Sequence, residues 1–71
     1  MNSKALPKKF KCNGVIGNYQ YRCYGRLVYD GDTVIDAVIQ HFELYNSSGK
    51  PAVYTSAHFK RAVADVVSKY Q

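Results

Sequence analysis

The residue types that most often catalyse reactions or bind metals are few in this chain. Its two cysteines, Cys12 and Cys23, are separated by ten residues, and His41 and His58 lie far from both of them in the sequence. Structural zinc sites instead use closely spaced pairs of cysteines or histidines. We therefore expect the protein to bind no metal and no cofactor.

Histidine exchanges a proton near neutral pH, so His41 and His58 are the first candidates for acid or base catalysis. Neither has a nucleophile at a motif spacing, and the chain has no G-x-S-x-G, H-E-x-x-H or glycine-rich phosphate-binding loop. A chain of 71 residues also has little room for a pre-formed site of about 300 Å³ or more. The sequence thus predicts a protein that is not an enzyme.

Charge is distributed unevenly along the chain, whose formal net charge is +5. Residues 1–29 contain six basic and no acidic residues, namely Lys4, Lys8, Lys9, Lys11, Arg22 and Arg26. Residues 30–71 contain four basic and five acidic residues, so they carry a net charge of −1. A basic region of this kind attracts polyanions or an acidic protein surface.

Hydropathy and cysteine content predict a cytoplasmic protein with no membrane segment. No apolar run approaches the roughly 18 residues that cross a bilayer, and the first ten residues lack the apolar stretch of a secretory signal. Two cysteines are too few for the disulfide framework of a small secreted domain. Buried free thiols are therefore favoured over a disulfide between Cys12 and Cys23, which is the alternative.

The length permits one domain, because a chain this short buries only about 60% of its unfolded surface. Composition is that of an ordinary globular protein, with 46% apolar and 21% charged residues. We expect residues 1–7 to form a loose N-terminal arm that ends at Pro7, followed by a single small α+β domain over residues 8–71.

A β-hairpin is predicted around Gly17 and Asn18, which suit a two-residue type II′ turn. This loop would place Cys12 opposite Cys23 and Lys11 opposite Tyr24. Residues on opposed positions share a face of the sheet. One face then carries Phe10, Cys12, Ile16, Tyr19, Tyr21, Cys23, Leu27 and Tyr29, and the other carries Lys9, Lys11, Asn13, Arg22, Tyr24 and Arg26. Because this register separates apolar from basic side chains, the hydrophobic pattern supports it independently of the turn.

Residues 33–45 are compatible with a helix or a third strand. Helical periodicity is the better fit, since it gathers most of the apolar residues into one stripe: Val34, Ile35, Val38, Ile39, Phe42 and Tyr45. The many β-branched residues and the preceding Asp30-Gly31 turn signal argue for a strand. We favour the helix and keep the strand as the alternative.

A C-terminal amphipathic helix is predicted from about Ala57 to Tyr70, with Thr55 or Ser56 as its N-cap. Its apolar stripe consists of Phe59, Ala62, Val63, Val66, Val67 and Tyr70. Residues 52–54 could add a short strand. The predicted α+β fold is an N-terminal antiparallel hairpin or small sheet with one face packed by one or two helices, in the order ββα(β)α or alternatively βββ(β)α.

The basic sheet face is the best candidate for a functional surface. Cations placed around an aromatic ring hold phosphates and stack a base, as sheet platforms for nucleic acids do. The candidate binding residues are Lys9, Lys11, Arg22, Tyr24 and Arg26. The sequence therefore predicts a small non-catalytic protein that contacts RNA or DNA through this face.

An alternative function is protein binding, because the same basic face could dock on an acidic partner. The chain would then be a small regulator or inhibitor of a larger complex, of phage or plasmid accessory type. A free sheet edge also makes a homodimer possible.

Overall fold

The computed structural model describes residues 6–71, and it contains four strands and one helix in that part of the chain. The strands are β1 (Lys9–Ile16), β2 (Tyr19–Asp30), β3 (Thr33–Tyr45) and β4 (Pro51–Ala52), and the helix is α1 (Ser56–Tyr70). This is an α+β fold. Of the loose arm predicted for residues 1–7, only Leu6 and Pro7 are among the described residues.

The four strands form one antiparallel sheet in the order β1-β2-β3-β4. The predicted β1–β2 register is confirmed, since Cys12 pairs with Cys23 and Lys11 pairs with Tyr24. Gly17 has a φ of 60°, and no described residue other than glycine has a positive φ. A positive φ at the first loop position alone is the signature of the predicted type II′ turn.

The helix favoured for residues 33–45 is wrong, because this segment is the strand β3. β3 pairs with β2 along almost its whole length and forms a second hairpin, whose loop is Gly31-Asp32. The β-branched residues and the Asp30-Gly31 turn signal, which argued for the strand, agree with what the chain adopts.

Two irregularities interrupt the alternation of β3 between the faces of the sheet. Ile35 and Gln40 each have no partner residue on β2, so the alternation of the strand shifts by one residue at each of these β-bulges. The side chains that β3 contributes to the core are Val34, Ala37, Ile39, Phe42 and Leu44. Their spacing of three, two, three and two residues is irregular for a strand, so strict alternation does not identify them. Of the predicted helical stripe, Ile35 and Val38 are exposed in the strand.

Helix α1 covers one face of the sheet and closes the core. It begins at Ser56 after the N-cap Thr55, whose hydroxyl accepts a hydrogen bond from the backbone N–H of His58. The His58 ring completes the capping box by accepting from the Thr55 backbone N–H. Ala62 and Val66, both from the predicted stripe, are fully buried against the sheet. This helix therefore starts and packs as its sequence predicts.

The core contains one polar network, which joins the sheet to the helix. The Tyr21 hydroxyl donates a hydrogen bond of 2.9 Å to the Asp65 carboxylate, and the Arg61 guanidinium pairs with the same carboxylate at 3.2 Å. Cys12 and Cys23 are buried free thiols, and the Cys12 sulfur lies 3.8 Å from the Tyr21 hydroxyl. Every buried polar side-chain atom of residues 6–71 has a partner, as expected of a well-packed core.

The molecule is elongated, with extents of 49 × 19 × 18 Å over its described residues. Within residues 6–71, β1 pairs only with β2, so its other side is a free edge of the described sheet. Among residues 6–71, no helix has both the length and the apolar character that crossing a membrane requires.

Candidate functional site

The sheet face that α1 leaves uncovered, here called the open face, carries the candidate binding residues. They lie in three cross-strand rows, because residues opposed on neighbouring strands point to the same side. The rows are Asn13–Arg22–Glu43, Lys11–Tyr24–His41 and Lys9–Arg26–Val38. The five residues named from the sequence, Lys9, Lys11, Arg22, Tyr24 and Arg26, are thus brought together on one exposed surface.

The alternation of β1 and β2 produces this separation of faces. Arg22, Tyr24 and Arg26 are exposed on β2, whereas Tyr21 and Cys23 between and beside them are buried. Because side chains of a strand alternate between faces, the cations lie on one side and the core residues on the other. The sequence prediction of the two faces holds, although Tyr19 is more exposed than expected and its ring lies 5.4 Å from that of His58.

Tyr24 lies at the centre of the open face and is 48% exposed. Its ring is stacked on that of His41, with a centroid distance of 5.1 Å and an interplanar angle of 19°. His41 in turn pairs with the Glu43 carboxylate through Nε2 at 2.5 Å. One face of the Tyr24 ring is therefore supported by the protein, which fixes its orientation before any ligand binds.

Glu43 is the acidic member of the open face. The Tyr45 hydroxyl donates a hydrogen bond to it, and this bond together with that from His41 lowers the pKa of the Glu43 carboxyl. The same bond raises the pKa of Tyr45. Glu43 consequently stays ionised on mild acidification and continues to hold His41 against Tyr24.

Gly25 determines the register that brings His41 opposite Tyr24. A Cβ atom added to Gly25 would lie 1.9 Å from the carbonyl oxygen of Val38, a backbone atom that cannot move independently. The missing side chain lets β3 approach β2 at the bulge around Gln40. Beyond this bulge, His41 pairs with Tyr24.

Two depressions flank the Tyr24 ring. The larger has a volume of about 540 Å³, so the expectation that so short a chain lacks room for a site of this size is wrong. Its lining includes Lys9, Lys11 and Gln40, together with Phe10 and Tyr70 from the covered side of the sheet. The smaller, of about 170 Å³, is lined in part by Arg22 and Glu43. The surface beside the ring is therefore concave and bordered by cations.

The open face ends in an apolar and acidic region toward the Gly31-Asp32 loop. Val28 and Val38 are exposed next to Arg26, and Asp36 lies opposite Val28. Asp30 precedes the loop. The positive surface is thus confined to the middle of the sheet.

Sequence reasoning missed His41 and Glu43 as neighbours of Tyr24, because it favoured a helix at residues 33–45. The Asp30-Gly31 turn signal would have placed this segment beside β2 as a strand. A regular hairpin from that loop would have paired Tyr24 with Ile39, since neither bulge has an evident sequence signal. The turn could therefore identify the strand but not this contact.

The side chains of the open face limit the chemistry that the candidate site offers. Among residues 6–71, no group of three or more His, Cys, Asp or Glu side chains is arranged to hold a metal ion. The Cys23 thiol is unsuited to nucleophilic attack, because burial, and next the neighbouring Cys12, raises its pKa to about 11. The exposed groups at the candidate site are cations, an amide, two stacked rings and the Glu43 carboxylate that pairs with His41. Cations beside an exposed ring fit an anionic ligand with planar groups.

The chain matches no protein family model, no curated protein and no solved structure with which it was compared.

Proposed function

We propose that this protein is a non-catalytic nucleic-acid-binding protein that contacts its ligand through the open face. The observation that carries the proposal is the clustering of Lys9, Lys11, Arg22 and Arg26 around the exposed ring of Tyr24. Cations bind phosphates without regard to sequence, and an exposed ring offers a surface for a base.

Binding through these cations should depend strongly on salt concentration. Each phosphate that a lysine or arginine neutralises releases counterions, so affinity falls as salt rises. The slope of log K against log salt is about −0.7 per phosphate for single strands. If Arg22 and Arg26 each contact one phosphate, replacing both by Ala should make the slope less steep by about 1.4.

Fluorescence anisotropy with labelled 12-nucleotide RNA and DNA, titrated from low to moderate salt, tests this proposal. The double variant Arg22→Ala/Arg26→Ala should bind more weakly and with the smaller slope. Lys50→Ala/Lys60→Ala is the matched control, because it removes two exposed positive charges outside the open face. Equal losses in both double variants would indicate a net-charge effect, and absence of binding at low salt would refute the proposal.

A second candidate function is binding to an acidic protein, as a regulator or inhibitor of a larger complex. It is favoured by the exposed Val28 and Val38 beside Arg26, because protein interfaces combine an apolar centre with a polar rim. Affinity purification from nuclease-treated lysate distinguishes the two functions. A defined protein that remains bound after nuclease, and is lost with Arg26→Ala, would support this second function.

A further inference from the structure

We infer that the ligand of the open face is a single-stranded nucleic acid, with one unpaired base stacked on the free face of the Tyr24 ring. This inference rests on the proposed function and specifies its substrate class. It is carried by the geometry of three side chains, Tyr24, His41 and Glu43, whose arrangement the positive charge alone would not require.

The Tyr24 ring is positioned as a platform with one occupied and one free side. His41 stacks on the ring at 5.1 Å, and Glu43 holds His41 in place. Tyr24 is nevertheless 48% exposed, and the cleft of about 540 Å³ lies beside it. A base that enters this cleft extends an existing stack of two rings, so the cost of ordering the tyrosine has already been met within the folded protein.

The interior of a duplex cannot use this platform, because both faces of each base there are covered by the neighbouring pairs. Unpaired bases leave their faces free, and proteins that bind single strands stack them on aromatic side chains. Such a contact contributes about 1–3 kcal/mol per base. The ring should therefore add affinity for a single strand and none for a duplex.

The cations flank the ring along the direction of the strands. Lys9 and Lys11 are two residues apart on β1, and Arg22 and Arg26 lie on either side of Tyr24 on β2. Positions two residues apart along a strand are about 6.7 Å from each other, so the three rows span about 13 Å. A single strand lying along β1 and β2 would have cations on both sides of the stacked base. The short basic surface predicts a footprint of only a few nucleotides.

A tryptophan substitution tests the stack directly, because the chain contains no tryptophan. Tyr24→Trp places a single indole at the platform, where stacking with a base quenches its fluorescence. Adding a 12-nucleotide oligothymidylate should quench this emission, whereas a 12-base-pair duplex should not. Binding of the single strand without any quenching would overturn the inference.

Affinity measurements provide the second test, with the ring as the only variable. Tyr24→Ala should lower the affinity for the oligothymidylate by about 5-fold to 150-fold and change that for the duplex by less than about twofold. Tyr24→Phe is the matched control, because it keeps the ring and removes only the hydroxyl, and it should bind like the wild type. Circular dichroism melting confirms that each variant is folded.

The outcomes separate this inference from the proposed function. Salt-dependent binding that Tyr24→Ala leaves unchanged, or weakens equally for single strand and duplex, would overturn the inference and leave charge-based nucleic-acid binding intact. Failure of the wild type to bind either probe at low salt would overturn both.

Discussion

Tyr21 and Tyr24 lie three residues apart in β2, yet they belong to opposite faces of the sheet and have opposite surroundings. Tyr21 is 1% exposed and hydrogen-bonds Asp65 of the helix, whereas Tyr24 is 48% exposed and stacks on His41 among the cations of the open face. The comparison of these two faces shows that aromatic content does not indicate a binding surface by itself. The position of each ring in the alternation of the strand determines whether it supports the fold or is available to a ligand.

The largest effect should come from placing a charge in the covered face. Val66→Asp puts a carboxylate where the wild-type side chain is fully buried among apolar residues. We expect a loss of about 4 kcal/mol or more, which approaches the whole stability of a 71-residue domain. Circular dichroism should show an unfolded protein at 25 °C.

Val53→Asp is the matched control for this substitution, because it makes the same chemical change at a side chain that is 91% exposed. Its melting temperature should stay close to that of the wild type. A folded Val66→Asp protein would mean that the packing of α1 on the sheet is not what holds the domain together.

Gly25→Ala should cause the next largest loss of stability, because Gly25 lies against the backbone of β3 at the bulge around Gln40. The new methyl group would collide with the Val38 carbonyl oxygen, and separating the strands should cost about 1–3 kcal/mol. The same shift should disturb the stacking of His41 on Tyr24 and weaken single-strand binding. Chemical denaturation measures the first change and anisotropy the second, and wild-type values for both would contradict the role given to the bulge.

Alkaline pH should lower the free energy of unfolding through two buried groups on the side of the sheet that α1 covers. The pKa of Cys23 is raised from 9.0 to about 11 in the folded protein, and burial together with the bond to Asp65 raises that of Tyr21. Between pH 9 and pH 11 the unfolded chain therefore loses the Cys23 proton while the folded chain retains it. Stability should fall over this range, by about 2 kcal/mol for Cys23.

Urea unfolding at several pH values between 8 and 11 measures this loss. Cys23→Ala should have a smaller decrease in stability over the same range, because only the Tyr21 contribution remains among these two groups. Identical slopes for wild type and variant would show that the thiol proton is not involved.

The smallest effect on stability is expected for the open face. Arg22→Ala and Arg26→Ala remove exposed charges, so each should change the free energy of unfolding by less than about 0.5 kcal/mol. A loss of 2 kcal/mol or more in chemical denaturation would show that this face is packed against something and is not free for a ligand.

Much of this architecture could be predicted because its signals are local. The Gly17-Asn18 turn and the alternation of apolar and basic residues together determined the β1–β2 register, and Thr55 with the apolar stripe predicted α1. The candidate cations followed from that register. Each of these predictions depends on residues close to one another in the sequence.

β3 was not predicted, because its bulges depend on contacts between strands. The sequence does not show that Ile35 and Gln40 have no partner residues on β2, and without that knowledge the core positions of β3 do not fit the alternation of a strand. The partners of Tyr24 were missed for the same reason. Predicting that His41 lies opposite Tyr24 would have required knowing that β3 approaches β2 closely at Gly25. That approach exists only once the two strands are paired.

Because β1 is an edge strand, the lysines on it also affect the solubility of the protein. An unpaired strand edge exposes backbone N–H and C=O groups that can pair with another chain, and lysines on edge strands oppose such association. Lys9 and Lys11 are exposed on this edge strand, so their positive charges repel the same lysines of a second copy of the protein. Removing both charges would therefore expose the protein to edge-to-edge aggregation as well as weaken its binding face, which favours the arginines of β2 as sites for engineering.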